Sequence, residues 1–167
     1  MRFAALITAL AITLSPILSS AKMEGKFSMN NISGLCSVIN GRHLDQIYNK
    51  MDNLIKEGDI TKEEFNNHYI FKISCTGRAP LQFASSKGYE YFLKFAEYGV
   101  DLKHSFKDID DHITTIKDYA KYQYKHTKGQ EKSNWRRIYV YLRKNKIKGC
   151  KEQPQLNCSP KYYKPAS

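Results

Sequence analysis

The sequence predicts an all-α protein, built as a short solenoid of about three helix pairs with one inserted helix and preceded by a signal peptide. Apolar residues recur at the helical spacing i, i+3, i+4 and i+7, and glycines repeatedly interrupt these runs. No stretch shows sustained two-residue alternation between hairpin turns, so we expect almost no sheet. One helix pair cannot bury both of its apolar stripes alone, and this favours stacking of several pairs.

Residues 1–21, MRFAALITALAITLSPILSSA, are expected to be a cleaved signal peptide. Arg2 supplies the positive start, an apolar run follows, and small residues precede a cleavage site near Ala21. Pro16 interrupts the apolar run, which is shorter than the roughly 20 residues that a membrane-spanning helix needs. We therefore predict an exported protein, periplasmic or secreted, with no membrane anchor after cleavage. The mature chain is predicted to have a helical body at residues 22–149 and a tail at residues 150–167.

The first predicted helix pair lies within residues 32–58. It breaks at Gly41 and stops at Gly58, and its apolar positions are Ile32, Leu35, Cys36, Ile39, Leu44, Ile47, Tyr48, Met51, Leu54 and Ile55. A further helix is predicted after this pair, in TKEEFNNHYIFKIS. Thr61 and Glu64 have the spacing of a capping box, in which each side chain accepts a hydrogen bond from the backbone of the other residue.

The second predicted pair lies in APLQFASSKGYEYFLKFAEYGVDLK, residues 79–103. Pro80 suits the first turn of a helix because its missing N–H group is not needed there. Gly88 ends this short helix, and a second helix runs from Glu90 to about Tyr98. The glycine that follows can adopt the left-handed conformation that closes a helix.

The third predicted pair begins behind Thr115, which has Asp118 three residues later in a second capping pattern. Gly129 separates its two helices, and the apolar face of the second helix consists of Trp135, Ile138, Tyr139 and Leu142. The connection before this pair, HSFKDIDDHIT, is long for a helical solenoid. We expect it to project as a finger.

The four cysteines indicate two disulfides, because an even number in an exported chain is typical of an oxidising compartment. Three connectivities are open, and we predict Cys36 with Cys75 and Cys150 with Cys158. The second pair would close a short loop in a tail that has little else to hold it. A zinc site is the alternative, but it needs closely spaced ligands such as Cys-x-x-Cys, and the sequence has no such pair.

The second helix pair resembles an ankyrin repeat, whose usual pattern is Gly-x-Thr-Pro-Leu-His-x-Ala-Ala, then Gly-His, an aliphatic helix and Gly-Ala-Asp. Ala79 replaces the usual threonine, Gln82 and Tyr89 replace the two histidines, and the second helix is one residue shorter. The flanking pairs match more loosely, and the resemblance covers about residues 32–147. The matching positions are Gly77, Pro80, Leu81, Ala84, Gly88, Gly99 and Asp101.

Proteins of the ankyrin family are mostly protein-binding scaffolds, so the resemblance implies a concave binding face made by the first helix of each pair and the turn before it. The implied face carries Arg78, Gln82, Ser86, Lys87, Lys121, Tyr122 and Lys125. The finger would add Phe106, Asp108, Asp111 and His112. We expect Phe106 to be an exposed anchor for a partner. The alternative is that Phe106 packs under its own loop.

The chain is strongly basic, with 27 Lys and Arg against 16 Asp and Glu and a net charge of +11. This excess favours an acidic protein partner, an anionic surface or nucleic acid, and the alternative is a solvated lysine-rich surface. A nucleic-acid module would use the basic and aromatic residues of the last helix, namely Arg136, Arg137, Tyr139, Tyr141, Arg143 and Lys144. Export argues against an intracellular nucleic acid.

No catalytic motif is present, and the five histidines fall on separate predicted elements. A ribonuclease would need two of them together. The segment DIDDH, residues 108–112, could collect carboxylates and an imidazole around a divalent metal, but it lacks the spacing and the glycine of an EF-hand. We predict no enzyme activity, no cofactor and no metal site.

The sequence therefore predicts an exported, monomeric protein-binding module. If the source is bacterial, the export signal and small size favour a periplasmic inhibitor or immunity-type protein, or a scaffold for a periplasmic enzyme. One alternative is a secreted effector that acts on a protein of a host or a rival. The other is a basic nucleic-acid-binding protein or ribonuclease.

Overall fold

The computed structural model describes residues 29–72 and 74–162, and the predicted signal peptide lies outside this range. The described residues form seven α-helices and one two-stranded antiparallel sheet, which confirms a mostly helical chain. The helices are α1 Met29–Asn40, α2 Ile47–Gly58, α3 Lys62–Asn67, α4 Pro80–Lys87, α5 Tyr89–Tyr98, α6 Ile116–His126 and α7 Gly129–Lys144. The strands are β1 Ser105–Lys107 and β2 Ile113–Thr115, and short 3-10 turns cover Leu44–Gln46, Tyr69–Phe71, Cys150–Glu152 and Pro154–Leu156.

The helices form three successive pairs, α1 with α2, α4 with α5 and α6 with α7, and α3 is inserted after the first pair. The first pair packs on the second through contacts of α1 with α4 and of α2 with α5. The second pair packs on the third because both α4 and α5 contact α7. None of the described helices is long and apolar enough to cross a membrane.

The helix ends follow the local sequence. Pro80 is the first residue of α4, and Gly99 ends α5 with a φ of 98°. At the end of α2 the prediction is off by one residue: Gly58 stays inside the helix, and Asp59 adopts the left-handed conformation with a φ of 49°. The capping box before α3 is confirmed, because the Thr61 hydroxyl accepts the N–H of Glu64 and the Glu64 carboxylate accepts the N–H of Thr61.

The core runs continuously through the three pairs. Its largest fully buried side chains include Trp135, Phe65, Phe92 and Phe95. Aromatic contacts join neighbouring elements; the rings of Phe92 and Tyr141 lie 5.4 Å apart, edge to face, where α5 meets α7. Burial of this apolar surface stabilises the stack by roughly 25 cal/mol per Å² removed from water.

The connection predicted as a finger is a β-hairpin. Phe106 pairs with Thr114 across the two strands. The Phe106 ring points inward and lies 5.8 Å from the Tyr119 ring of α6. Three residues per strand are too few to give a periodic signal in the sequence.

Both predicted disulfides are confirmed. Cys36 and Cys75 join α1 to the turn before α4, with 5.3 Å between their Cα atoms. Cys150 and Cys158 close the tail on itself, with 6.0 Å between their Cα atoms. Two disulfides are typical of an oxidising location, extracellular or periplasmic.

The two disulfides are expected to contribute unequally to stability. In the chain-entropy account, closing a loop of 39 residues stabilises the fold by about 4 kcal/mol and closing one of 8 residues by about 2.5 kcal/mol. The pair Cys36→Ser and Cys75→Ser should therefore lower the free energy of unfolding more than the pair Cys150→Ser and Cys158→Ser. Urea denaturation of both variants measures the difference, and the reverse order would contradict the prediction.

Gln82 is fully buried in α4, and neither atom of its side-chain amide has a hydrogen-bond partner among the described residues. An unsatisfied buried amide costs about 1–3 kcal/mol. We expect Gln82→Met, which keeps the length of the side chain and removes the polar atoms, to raise the free energy of unfolding by about 1 kcal/mol. Gln155→Met, at an exposed position of the tail, is the control in the same urea experiment. A loss of stability in Gln82→Met would show that the amide is satisfied by water.

Candidate functional site

The structure distributes the predicted binding residues over two recesses on neighbouring faces of α6. Arg78, Ser86 and Lys87 lie in the first recess, and Lys121, Tyr122 and Lys125 lie in the second. We call the first the α4–α7 groove; it has a volume of about 350 Å³ and is lined by Arg78, Phe83, Ser86, Lys87, Tyr119, Gln123, Glu131 and Trp135. We call the second the α6–tail cleft; it has a volume of about 470 Å³ and is lined by Asp118, Lys121, Tyr122, Lys125, His126, Lys151, Lys161 and Tyr162.

The guanidinium of Arg78 is a charged group of the α4–α7 groove. The tight turn Cys75–Arg78 positions this residue, because the backbone N–H of Cys75 donates to the Arg78 carbonyl and that of Arg78 donates to the Cys75 carbonyl. The Arg78 side chain forms no ion pair within the described residues, and its buried Nε has no hydrogen-bond partner there. A guanidinium without an ion pair can form charge-assisted hydrogen bonds with a carboxylate from outside.

Two other charged groups line the groove, and each has a neutral hydrogen-bond partner. The Nζ of Lys87 donates to Asn40 Oδ1 at 2.8 Å and lies 4.9 Å from the centre of the Phe83 ring. Glu131 accepts from Trp135 Nε1 at 3.4 Å. Neither Arg78 nor Lys87 forms an ion pair within the described residues, so both provide positive charge to this recess beside the carboxylate of Glu131.

Three predicted binding residues are not available to a partner. Gln82 is fully buried, Phe106 is 4% exposed and Asp108 is 1% exposed. The expectation that Phe106 is an exposed anchor is wrong, and the alternative, packing under its own loop, is what the structure shows. The hairpin folds back onto α6 because its one aromatic side chain is more stable in the core than in water. Asp111 remains exposed at the tip, where it pairs with Lys107 at 3.3 Å.

Asp108 fastens the C-terminal tail to the hairpin. Its Oδ1 accepts the backbone N–H groups of Asp110 at 2.9 Å and His112 at 2.8 Å, which fixes the hairpin turn. Its Oδ2 accepts the hydroxyl of Tyr162 and an Nζ hydrogen bond from Lys161 at 3.4 Å. Burial of a carboxylate without such partners would be unfavourable, so these bonds hold the tail in place.

A second set of bonds fixes the start of the tail. Asp118 Oδ2 accepts the backbone N–H of Cys150 at 2.6 Å and the hydroxyl of Thr115 at 2.8 Å. A Cβ atom at Gly149 would lie 2.6 Å from this oxygen, so only glycine permits the approach. Ser159 bonds to the edge of β2, with its N–H donating to the Ile113 carbonyl at 2.8 Å. The tail thus forms one wall of the α6–tail cleft.

Asp108, Asp110 and His112 bring their ligand atoms within 4.8 Å of one another, as the DIDDH segment suggested. The carboxylates of this cluster form hydrogen bonds and an ion pair with other groups of the protein. Both oxygens of Asp108 accept hydrogen bonds from backbone and tail groups, and Asp110 pairs with Lys161 at 2.7 Å. A metal would have to displace these bonds, so the cluster carries no metal proposal.

The basic face of α7 is partly neutralised. Arg137 pairs with Glu90 at 2.9 Å and stacks 4.2 Å from the centre of the Tyr89 ring. Val140 is exposed beside them. Because Arg137 and Tyr89 are already engaged with each other, this face offers fewer free stacking rings and charges than the sequence indicated.

Sequence reasoning missed the residues that the tail adds to the second recess. Lys151, Lys161 and Tyr162 lie 26 or more positions along the chain from Lys125. The only signal in the sequence was the pair of tail cysteines, which predicted a closed loop without saying where it docks. Docking depends on Asp108, which the sequence predicts on a projecting finger as a residue that contacts a partner.

No protein-family model matches the chain, and no significant match is found among curated proteins or solved structures. The functional interpretation of both recesses is therefore based on their geometry and chemistry.

We expect the contact between Asp108 and the tail to make the free energy of unfolding depend on pH in the acid range. Burial raises the pKa of Asp108. This effect is outweighed by the hydrogen bonds from Tyr162 and two backbone N–H groups and by the charge of Lys161, so the pKa lies below its ordinary value of 3.8. A carboxyl group with a lowered folded-state pKa contributes stability that is full above its unfolded pKa and is lost as the pH falls through the folded pKa. We therefore expect the tail to loosen below about pH 4.

Tyr162→Phe tests this contact. Removing a hydrogen bond to a charged group should cost about 2 kcal/mol at pH 7 and should make the stability less dependent on pH below 4. Tyr124→Phe is the control, because the Tyr124 hydroxyl forms no hydrogen bond within the described residues. Urea denaturation between pH 2 and 7 and hydrogen exchange of the tail measure the effect. Equal stability of both variants would contradict the role of Asp108.

Proposed function

We propose that the chain is an exported protein-binding module that docks an acidic segment of another protein in the α4–α7 groove. The observation that carries the proposal is Arg78, whose guanidinium lines this recess and forms no ion pair within the described residues. An Asp or Glu side chain of a partner could accept two parallel hydrogen bonds from such a group.

The surroundings of Arg78 suit a protein side chain. Phe83 and Trp135 provide apolar walls, and Ser86 and Gln123 provide polar groups at the rim. Aromatic and arginine residues are enriched among those that carry binding energy at protein interfaces. The net charge of +11 would attract an acidic partner over long range and speed its association at low salt.

The architecture is compatible with this role. We interpret the successive helix pairs as a degenerate ankyrin-like solenoid whose first helices and preceding turns face the partner. In this interpretation the groove lies where ankyrin-type proteins bind their partners. The two disulfides are typical of a protein located outside the cytoplasm.

A periplasmic inhibitor, an immunity-type protein or a scaffold is the role we favour, and residues 1–21 would direct export. A secreted effector that binds a protein of a host or rival uses the same groove and differs only in location. Cell fractionation separates the two, because an envelope protein stays with the cells and an effector is found in the medium.

A photocrosslinking amino acid at position 86 tests the proposal directly. Ser86 lies in the groove, whereas Asn53 is exposed on α2 outside it. In extracts of the source organism, we expect one protein to crosslink from position 86 and not from position 53, and mass spectrometry identifies it. Equal labelling from both positions, or none from position 86, would overturn the proposal.

Once the partner is known, Arg78→Gln is expected to weaken binding about tenfold, since a charge-assisted hydrogen bond to Arg contributes about 1.5–3 kcal/mol. Arg136→Gln on α7 removes the same charge outside the groove and should change the dissociation constant much less. Isothermal titration calorimetry at two salt concentrations measures both. A similar loss in the two variants would show that only the net charge matters.

A further inference from the structure

The α6–tail cleft differs in chemistry from the α4–α7 groove. Lys121 and Lys125 lie one turn apart on α6, and Lys151 and Lys161 approach from the tail, so ammonium groups line the cleft from both walls. Among the described residues, the groove has one arginine and one lysine beside Glu131, whereas the cleft has four lysines. Lysine binds phosphate groups as a point charge, and arginine suits planar carboxylates.

Most of this charge is uncompensated. Lys121, Lys125 and Lys151 form no ion pair within the described residues, whereas Lys161 pairs with Asp110 at 2.7 Å and with Asp108 at 3.4 Å. Asp118 is the one carboxylate among the described residues that line the cleft; one of its oxygens accepts hydrogen bonds from Cys150 and Thr115, and the group keeps its negative charge. The three exposed ammonium groups of Lys121, Lys125 and Lys151 outnumber the carboxylate of Asp118, so the cleft keeps an excess of positive charge that an anion would offset.

The walls of the cleft are already ordered. The rings of Tyr122 and His126 stack with centroids 4.0 Å apart, and the Tyr162 ring contacts Tyr122 edge to face at 4.9 Å. Tyr162 is in turn held by Asp108. A recess whose walls are fixed before binding loses little conformational freedom when a ligand enters.

We propose that the α6–tail cleft binds a small molecule that carries two or more phosphate groups. Its volume of about 470 Å³ suits a small molecule, since ligand pockets are commonly about 300–1,000 Å³. Lysine ammonium groups only donate hydrogen bonds, so the ligand must be rich in acceptors. One phosphate carries about −1.5 to −2 charge at pH 7, so two of them match three ammonium groups within this volume better than single carboxylates do.

The proposal is independent of protein binding in the groove, because it rests on other residues. Tripolyphosphate is the probe, titrated calorimetrically into the purified mature chain with intact disulfides at low salt. We expect saturable binding of one molecule per chain, and an affinity that falls steeply as salt rises.

Lys121→Gln with Lys125→Gln should weaken tripolyphosphate binding at least about tenfold. Lys56→Gln with Lys132→Gln removes the same charge at exposed positions outside the cleft and should leave the affinity within about twofold. Arg78→Gln should also leave it unchanged, which separates this site from the groove. Non-saturable binding, or an equal loss in both lysine variants, would overturn the proposal.

Two further probes test the source and the class of ligand. Vesicles that contain a phosphoinositide should displace tripolyphosphate if the phosphates belong to a lipid headgroup, and fail to do so if the ligand is soluble; either result keeps the phosphate site. A ten-residue oligoglutamate that binds the wild-type cleft more tightly than tripolyphosphate would overturn the assignment, because it would make the cleft a site for an acidic protein segment.

Discussion

Burial of apolar stripes between successive helix pairs is the constraint on which the rest of the structure depends. No pair can cover its own stripes, so α1 and α2 pack on α4 and α5, and both α4 and α5 pack on α7. This stacking leaves two neighbouring faces of α6 to line the two recesses. The groove is lined by residues of α4, α6 and α7 beside Trp135, which is itself buried.

The α6–tail cleft requires a second wall, because the surface of one helix would not enclose a cleft. The tail forms this wall. The buried Asp108 bonds to Tyr162 and Lys161 of the tail, and Asp118 holds the start of the tail through Cys150. The disulfide Cys150–Cys158 shortens the path between these two anchors. A short tail is thus ordered by two carboxylates and one covalent bond, with little apolar burial of its own.

The sequence was sufficient for features set by local chemistry. The helical period, Pro80, the capping box at Thr61 and the pairing of the cysteines all act over short distances or through chain connectivity. Tertiary contacts decided the rest. Phe106 and Gln82 were expected at the surface because they follow the pattern of an exposed turn and a helix face, yet packing against neighbouring helices buries both.

The candidate binding residues show the same division between local chemistry and tertiary contacts. Arg78, Ser86 and Lys87 could be grouped from the sequence because one turn and one helix carry them, but Lys121 and Lys125 fall in a different recess, which the tail completes. Net charge alone attracts any anion and cannot separate the two. What separates them is local: one guanidinium beside apolar rings suits a carboxylate of a protein, whereas clustered ammonium groups between ordered walls suit a small polyanion. Under the two proposals each recess would recognise a different arrangement of negative charge, so the two ligand classes would not compete for one site.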